Sequence, residues 1–568
     1  MKLIYTFAIA CLISVNLFSQ APGWQWAIGA GTPGNDESGA AVTTDASGNI
    51  YSIGTFGSNT LTIGTASVVR SGGGNTYVVK QDPAGNVVWM KSYSFSPPTF
   101  FGINAGKGIC VDASGNVYIT GYYSTSMVLG TTTLTATDSS ATTVGDIYIA
   151  KLNSSGMVQW AKSAGGAVAD IPNGIAVDGS GNVFVAGIFR SRYLRFGTSA
   201  TLFNQYASSS NFWTNSDLFV AKYDPSGNFV WAKNTASSGG GNTANGICTD
   251  ASGNVIITGT YYLPNVVFGT NTLTATAAIN LFVTKYDNSG NVQWAKTAAS
   301  AGSGSINHYG NAVSSDASGN IYMTGWFNAS TLTIGSVVLN TLGNSDLLVA
   351  KFDPSGNALW ARNAGGGSSG VTGTGITTTA GGESYVTGYF TGMSPSFGTV
   401  SINNMNTGGN NNDVFVAKYN STGNLNWATD VGGIYDDVCN GIAVDGSGNA
   451  VITGYTKSNT MAFGSLTITA SNGYQDIFIA KMGALSGIKE YNNVNDQLHI
   501  YPNPGTGIFY LKEGTGISKI EIFNMLGEII FMATDPSTID ISTQPRGIYF
   551  IRVEDKKKNS FSGKIVLE

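Results

Sequence analysis

The stretch Gly174-Ile175-Ala176-Val177-Asp178-Gly179-Ser180-Gly181-Asn182-Val183-Phe184-Val185-Ala186-Gly187 decides the fold. Two apolar runs flank a short turn in which Gly and Asn tolerate positive φ, the signature of a β-hairpin. Its Asp-x-Ser-Gly-Asn core begins at Asp45, Asp112, Asp178, Asp250, Asp316 and Asp445, and the one double-length step is filled by the degenerate Thr379-Ala380-Gly381-Gly382. Seven copies of one unit therefore run along the chain.

Other markers recur in phase. A Gly closes the strand after each turn, at Gly54, Gly121, Gly187, Gly259, Gly325, Gly388 and Gly454. A run such as Leu218-Phe219-Val220-Ala221-Lys222 follows, and a second Gly-Asn turn leads to Trp89, Trp160, Trp231, Trp294, Trp360 or Trp427. Each unit reads as four strands, predicted in the third at residues 174–178, 183–189, 218–223 and 229–233. Runs that are apolar on both faces suit a sheet buried between neighbouring sheets. Four strands per unit fit a propeller blade, and no segment has sustained helical periodicity. The seventh unit stops after its third strand without a Trp, whereas Trp26-Ala27 near the start matches Trp160-Ala161 and Trp294-Ala295. The N-terminal strand is therefore expected to complete the last blade and close the ring, leaving no open sheet edge.

These blocks resemble bacterial seven-bladed β-propeller repeats over about residues 24–482. The resemblance implies an all-β fold, a seven-bladed β-propeller of four-stranded blades over residues 21–485. It implies little about role, because propellers serve many unrelated functions.

The pattern changes after residue 485. Residues 486–497 are polar and Asn-rich and read as a linker. Residues 498–568 carry short alternating strands separated by Gly and Asn turns, the pattern of a small β-sandwich. This segment opens with Tyr501-Pro502-Asn503-Pro504 and continues through Gly507, the Asn524-x-x-Gly527 pair, Asp540 in Asp-Ile-Ser, and Gly547-Ile548-Tyr549-Phe550. It closely resembles the type A C-terminal sorting domain of the type IX secretion system. The resemblance implies a partner, the secretion machinery at the outer membrane, and a destination, the cell surface or the medium.

The start of the chain fits that route. Lys2, an apolar run over residues 3–18, and Ser19-Gln20 make a signal peptide of residues 1–20 for export across the inner membrane. The run is shorter than a spanning helix requires. Cys11, in Ala8-Ile9-Ala10-Cys11, makes a poor lipidation site because an apolar stretch would then begin the mature chain.

Composition narrows the function classes. The chain has 76 Gly, 11% aromatic residues and only 11% charged residues, with a net charge of −5. The aromatic content argues against disorder, and the charge argues against a protein held on nucleic acid by its overall field. Cys110, Cys248 and Cys439 remain after signal removal. Cys110 and Cys248 share one repeat position that elsewhere holds Ala176 or Ala443, so they read as small core residues.

No catalytic residue, metal site or cofactor is expected. The histidines are His308 and His499, far apart and in different modules, and no Cys or His cluster has zinc spacing. The Asp-x-Ser-Gly-Asn loop has two readings, a calcium loop and a tight turn capped by its own Asp. It lacks the carboxylate-rich core of a calcium loop, and the turn reading is the simpler. The Trp stripe likewise reads as sugar-stacking surface or as packing between blades, and its repetition beside a small Ala favours packing.

One rim of the ring is the candidate ligand site. Eight residues before the repeat Asp stand Glu37, Asn104, Asp170, Asn242, His308 and Asp437. Five before it stand Lys107, Asn173, Asn245, Asn311 and Asn440, with Val371 and Thr374 in the degenerate unit. Carboxylates, amides and an imidazole converging from separate repeats would suit a hydroxyl-rich ligand or a cation. They would equally cap loop backbone. The expected function is non-catalytic binding, adhesion or structure, with a glycan or surface protein as ligand. The alternative is a polysaccharide-active enzyme on a propeller scaffold.

Overall fold

The computed structural model describes residues 21–70, 75–93, 105–137, 145–205, 207, 216–237, 240–262, 264–302, 305–406, 411–471, 473–483, 500–511, 517–524, 529–534, 538–555 and 560–568. The expected signal peptide, the linker, Asn104, His499 and Gly527 lie outside these residues.

Among them the first compact unit, ending at Gly483, holds seven four-stranded antiparallel sheets. In chain order the inner strands are Glu37–Thr44, Ala105–Val111, Asp170–Val177, Thr243–Thr249, His308–Ser315, Val371–Thr378 and Asp437–Val444, numbered here as blades 1 to 7. Each contacts the next, and the last contacts the first. Trp24–Ala30 pairs with the third strand of blade 7, Asp476–Met482, placing Trp26 opposite Lys481 as Trp160 stands opposite Lys151. The molecule is a β-propeller closed by its N-terminal strand.

The physical reason for closure lies in the core. Seven apolar clusters each draw side chains from two adjacent blades. The one joining the ends packs Ile477 and Ile479 of blade 7 against Val42, Ile50 and Phe56 of blade 1. Middle strands such as Val183–Phe189 are buried along their whole length, which explains why they lack polar alternation.

The repeat motif is a self-capped turn. Asp45 Oδ1 accepts the N–H groups of Ser47 and Asn49 at 2.9 and 3.0 Å, while Oδ2 accepts Asn49 Nδ2 and the Tyr51 hydroxyl at 2.8 and 2.9 Å. Both carboxylate oxygens are thereby engaged, and Gly48 takes φ 77° to close the turn. The degenerate copy keeps the same backbone bonds, Gly382 N–H to Thr379 O and Thr379 N–H to Glu383 O, without the Asp.

The Trp stripe is a seam between blades. Each indole N–H from Trp26 to Trp360 donates to a carbonyl in the next blade's outer turn, as Trp160 does to Pro225 O at 3.2 Å. The ring also lies against that turn's glycine: a Cβ on Gly227 would stand 2.7 Å from Trp160.

The second unit is described by itself. One sheet holds Ile500–Tyr501, Ile508–Leu511 and Thr538–Asp540, and the other holds Ile529–Ala533, Ile517–Phe523, Gly547–Asp555 and Ser560–Leu567. They enclose Phe509, Ile520, Ile522, Ile539, Tyr549 and Ile551, among others. The motif residues hold this module together. Asn503 donates to Lys564 O and accepts from Val566 N–H, Asp540 accepts from Ser542, and the Tyr549 hydroxyl donates to Pro545 O. Gly507 has φ 122°, and a Cβ there would meet Ser542 at 2.4 Å.

Candidate functional site

The inner strand of the third repeat begins at Asp170, four residues earlier than expected, and includes a feature the sequence reading missed. Its ladder shifts register between Pro172 and Gly174, leaving Asn173 as a bulge. The same shift occurs in all seven inner strands, and the bulged residues are Ala40, Lys107, Asn173, Asn245, Asn311, Thr374 and Asn440. A bulge re-aims its side chain. Here all seven line one central cavity of about 590 Å³.

Five of the seven also link the blades. Asn173 Nδ2 donates to Ala244 O at 2.9 Å, Asn245 to Gly310 O at 2.9 Å, and Asn311 to Gly373 O at 2.8 Å. Thr374 Oγ1 donates to Cys439 O at 2.6 Å, and Asn440 Nδ2 to Gly39 O at 2.8 Å. Each acceptor is the residue just before the neighbour's bulge. Because Nδ2 faces a carbonyl, Oδ1 is the amide atom left for a ligand. The chain of clips runs from blade 3 round to blade 1 and stops at Ala40 and Lys107.

The wall between bulge and mouth adds hydroxyls and aromatic faces. Ser38, Thr55 and Thr372 line the cavity, as do Trp326 and Tyr389. Trp326 is held flat by Tyr309, its cross-strand partner, with ring centroids 4.6 Å apart and planes at 14°.

The other half of the expected rim is corrected. Glu37, Asp170, Asn242, His308 and Asp437 are all fully buried and are not among the residues that line the cavity. Asp170 accepts the N–H groups of Arg190 and Ser191 and the Ser191 hydroxyl. Glu37 accepts Ser58 N–H at 3.1 Å, and Asp437 accepts the Ser458 hydroxyl at 3.1 Å. Asn242 bonds Thr235 and Asp217. His308 Nδ1 accepts Leu281 N–H at 3.0 Å, so its proton sits on Nε2, toward Ser300 Oγ at 3.3 Å. Burial pushes the imidazole down to about 4, keeping it neutral. Val371 is buried at the same position.

Burial raises the carboxyls. Asp170 is pushed up to about 8 and Asp437 to about 6, in both cases chiefly by desolvation. Asp413, at the start of the third strand of blade 6, is pushed up to about 7 by desolvation, with the nearby Asp437 charge adding to it. Asp413 and Asp437 both lie in hydrogen-bonding reach of the Gly433 N–H. The three thiols, Cys110, Cys248 and Cys439, are raised by burial and take no part in the cavity lining.

Comparison with known proteins matches two parts of the chain. Residues 499–568 match the secretion system C-terminal sorting domain, and residues 159–187 match a beta-propeller repeat. An uncharacterized WD repeat-containing protein of Acanthamoeba polyphaga mimivirus is 26% identical, over 50% of this chain and 24% of its own length. The chain thus spans about a quarter of that relative. Among solved structures, Sqt1 from Chaetomium thermophilum is 8% identical, covering 82% of this chain and 100% of that one, at a TM-score of 0.30. An ulvan lyase is 10% identical, covering 82% and 94%, at a TM-score of 0.31. The protein is a β-propeller carrying a type IX secretion sorting domain, which marks it for export to the cell surface or the extracellular space.

Proposed function

We propose that the propeller is a non-catalytic recognition module displayed outside the cell, holding a hydroxyl-rich ligand such as a glycan in the central cavity. The observation that carries this reading is the bulge ring. Four asparagines from four blades fix their Nδ2 atoms on backbone and line one space, leaving Oδ1 as the amide atom not committed to these bonds. Amide oxygens accept from sugar hydroxyls, and the flat faces of Trp326 and Tyr389 suit the C–H face of a sugar ring. The cavity falls within the roughly 300–1,000 Å³ of small-molecule sites. The carboxylates expected at the rim are instead buried and outside the cavity lining, which also supports binding over acid–base chemistry.

The test is a glycan screen of the purified full-length chain, with product formation measured in parallel. Binding without turnover is expected. Asn245→Ala, Asn311→Ala and Trp326→Ala together should weaken it at least about tenfold while the protein stays folded. Product formation, or a ligand indifferent to these changes, would overturn the reading.

A further inference from the structure

The cavity lining breaks its own symmetry at one place. Where five repeats put a clip and one puts Ala40, blade 2 puts Lys107. Among the described residues its amine makes no ion pair, and its one aromatic contact there is the Tyr122 face, 5.9 Å from Nζ to the ring centroid. The preceding segment, residues 94–104, reads Ser-Phe-Ser-Pro-Pro-Thr-Phe-Phe-Gly-Ile-Asn and holds no acid that could serve as partner. Lys107 is also the sole charged side chain among the described residues lining the cavity. Burial holds its amine below the ordinary lysine range, so the charged form lacks compensation. An amine in that position gains most from an anion supplied by the ligand.

We propose that Lys107 takes the anionic group of an acidic saccharide, a uronate carboxylate or a sugar sulfate, whose hydroxyls lie across the bulge ring. The proposal rests on the cavity being the binding site. A neutral sugar would leave the ammonium partly desolvated and unpaired, at a cost. The aromatic wall and the amide oxygens supply the remaining contacts, so the charge selects among saccharides rather than creating the site.

The experiment is an array of uronate-bearing and sulfate-bearing oligosaccharides, each beside its carboxyl-reduced or desulfated counterpart, probed with the full-length chain. Acidic members should bind at least about tenfold tighter than their neutral counterparts, equivalent to about 1.4 kcal/mol, and the difference should shrink as salt is raised. Lys107→Gln should abolish the preference for acidic members over their neutral counterparts, while Lys107→Arg should retain it. Equal binding of acidic and neutral members, or a preference that survives Lys107→Gln, overturns the role of Lys107. The cavity reading would then still stand, provided Trp326→Ala abolishes binding. If no array member binds the unaltered chain, both readings fall.

Discussion

Two rings run through the propeller, and they differ in kind. The outer one is the Trp seam, in which the same indole makes the same bond to the next blade from Trp26 to Trp360. The inner one is the bulge ring, whose seven positions hold Ala, Lys, Asn, Asn, Asn, Thr and Asn. The outer ring is uniform because its task is the same at these six junctions: fill the gap beneath a glycine turn and satisfy one carbonyl. The inner ring shares a backbone geometry but varies in chemistry, and variation on a constant scaffold is where recognition resides.

The strongest way to break the outer ring is to remove its closing member. Deleting residues 21–30 takes away Trp26 and leaves Asp476–Met482 as an open edge. Trp26 is half-buried, so its own loss costs less than the roughly 3–5 kcal/mol of a fully buried Trp, but the deletion also removes a whole strand, and an exposed strand edge invites aggregation. Thermal melting should fall sharply, with light scattering on heating. A ring that melts unchanged would mean the seam is not what holds it.

A second effect comes from the layer between the rings. The carboxyls of Asp170, Asp413 and Asp437 are raised from 3.8 to about 8, 7 and 6. The folded chain therefore keeps protons that the unfolded chain releases, and stability falls as pH rises from about 4 to about 8. For one carboxyl, that loss is about 1.4 kcal/mol for each pH step between its unfolded and folded pKa. The turn carboxylates act in another window. Asp45 and Asp445 are lowered, with hydrogen bonds to their turns outweighing burial, so their contribution is lost only as pH falls below about 4. Melting should be higher at pH 5 than at pH 8.5, and Asp413→Asn should flatten that slope. Equal melting at the two values would mean these carboxyls are ionised in the fold.

The contrast between the rings also separates what the sequence made legible from what it did not. The outer ring was readable because its parts are obligatory types at fixed places: Gly at positive φ, Asp capping its own turn, and Trp in phase. The inner ring was readable only as a register. Counting back from the repeat Asp found Asn173, Asn245, Asn311 and Asn440, yet grouped them with Asp170, Asp437 and His308. That grouping took residues 170–173 as loop. They are strand, and positions eight and five before the Asp fall on opposite sides of it. Position seven shares the cavity with the bulges in three blades, at Ser38, Ala105 and Thr372. The bulge follows from hydrogen-bond register with a neighbouring strand, which one strand's own sequence does not display.

The smallest effects test the inner ring as a clip. Asn311→Ala removes the donor to Gly373 O. A neutral hydrogen bond contributes about 0.5–1.5 kcal/mol net, and water in the cavity can replace part of it, so a loss toward the lower end is expected. The reverse change is more telling. Ala40 occupies the bulge of blade 1 and lines the cavity, so a longer side chain has space to enter. By the pattern of its neighbours, an amide there would donate to the carbonyl of Gly106, the residue before the bulge of blade 2. Ala40→Asn should therefore raise the melting temperature slightly, by up to about 1 kcal/mol of stability less the side-chain entropy of fixing Asn. Opposite signs for Asn311→Ala and Ala40→Asn, measured under one condition, would establish that the bulge ring holds blades together. If both changes destabilise, the blade 1 position does not accept the clip of its neighbours, and Ala40 is there because a longer side chain does not fit.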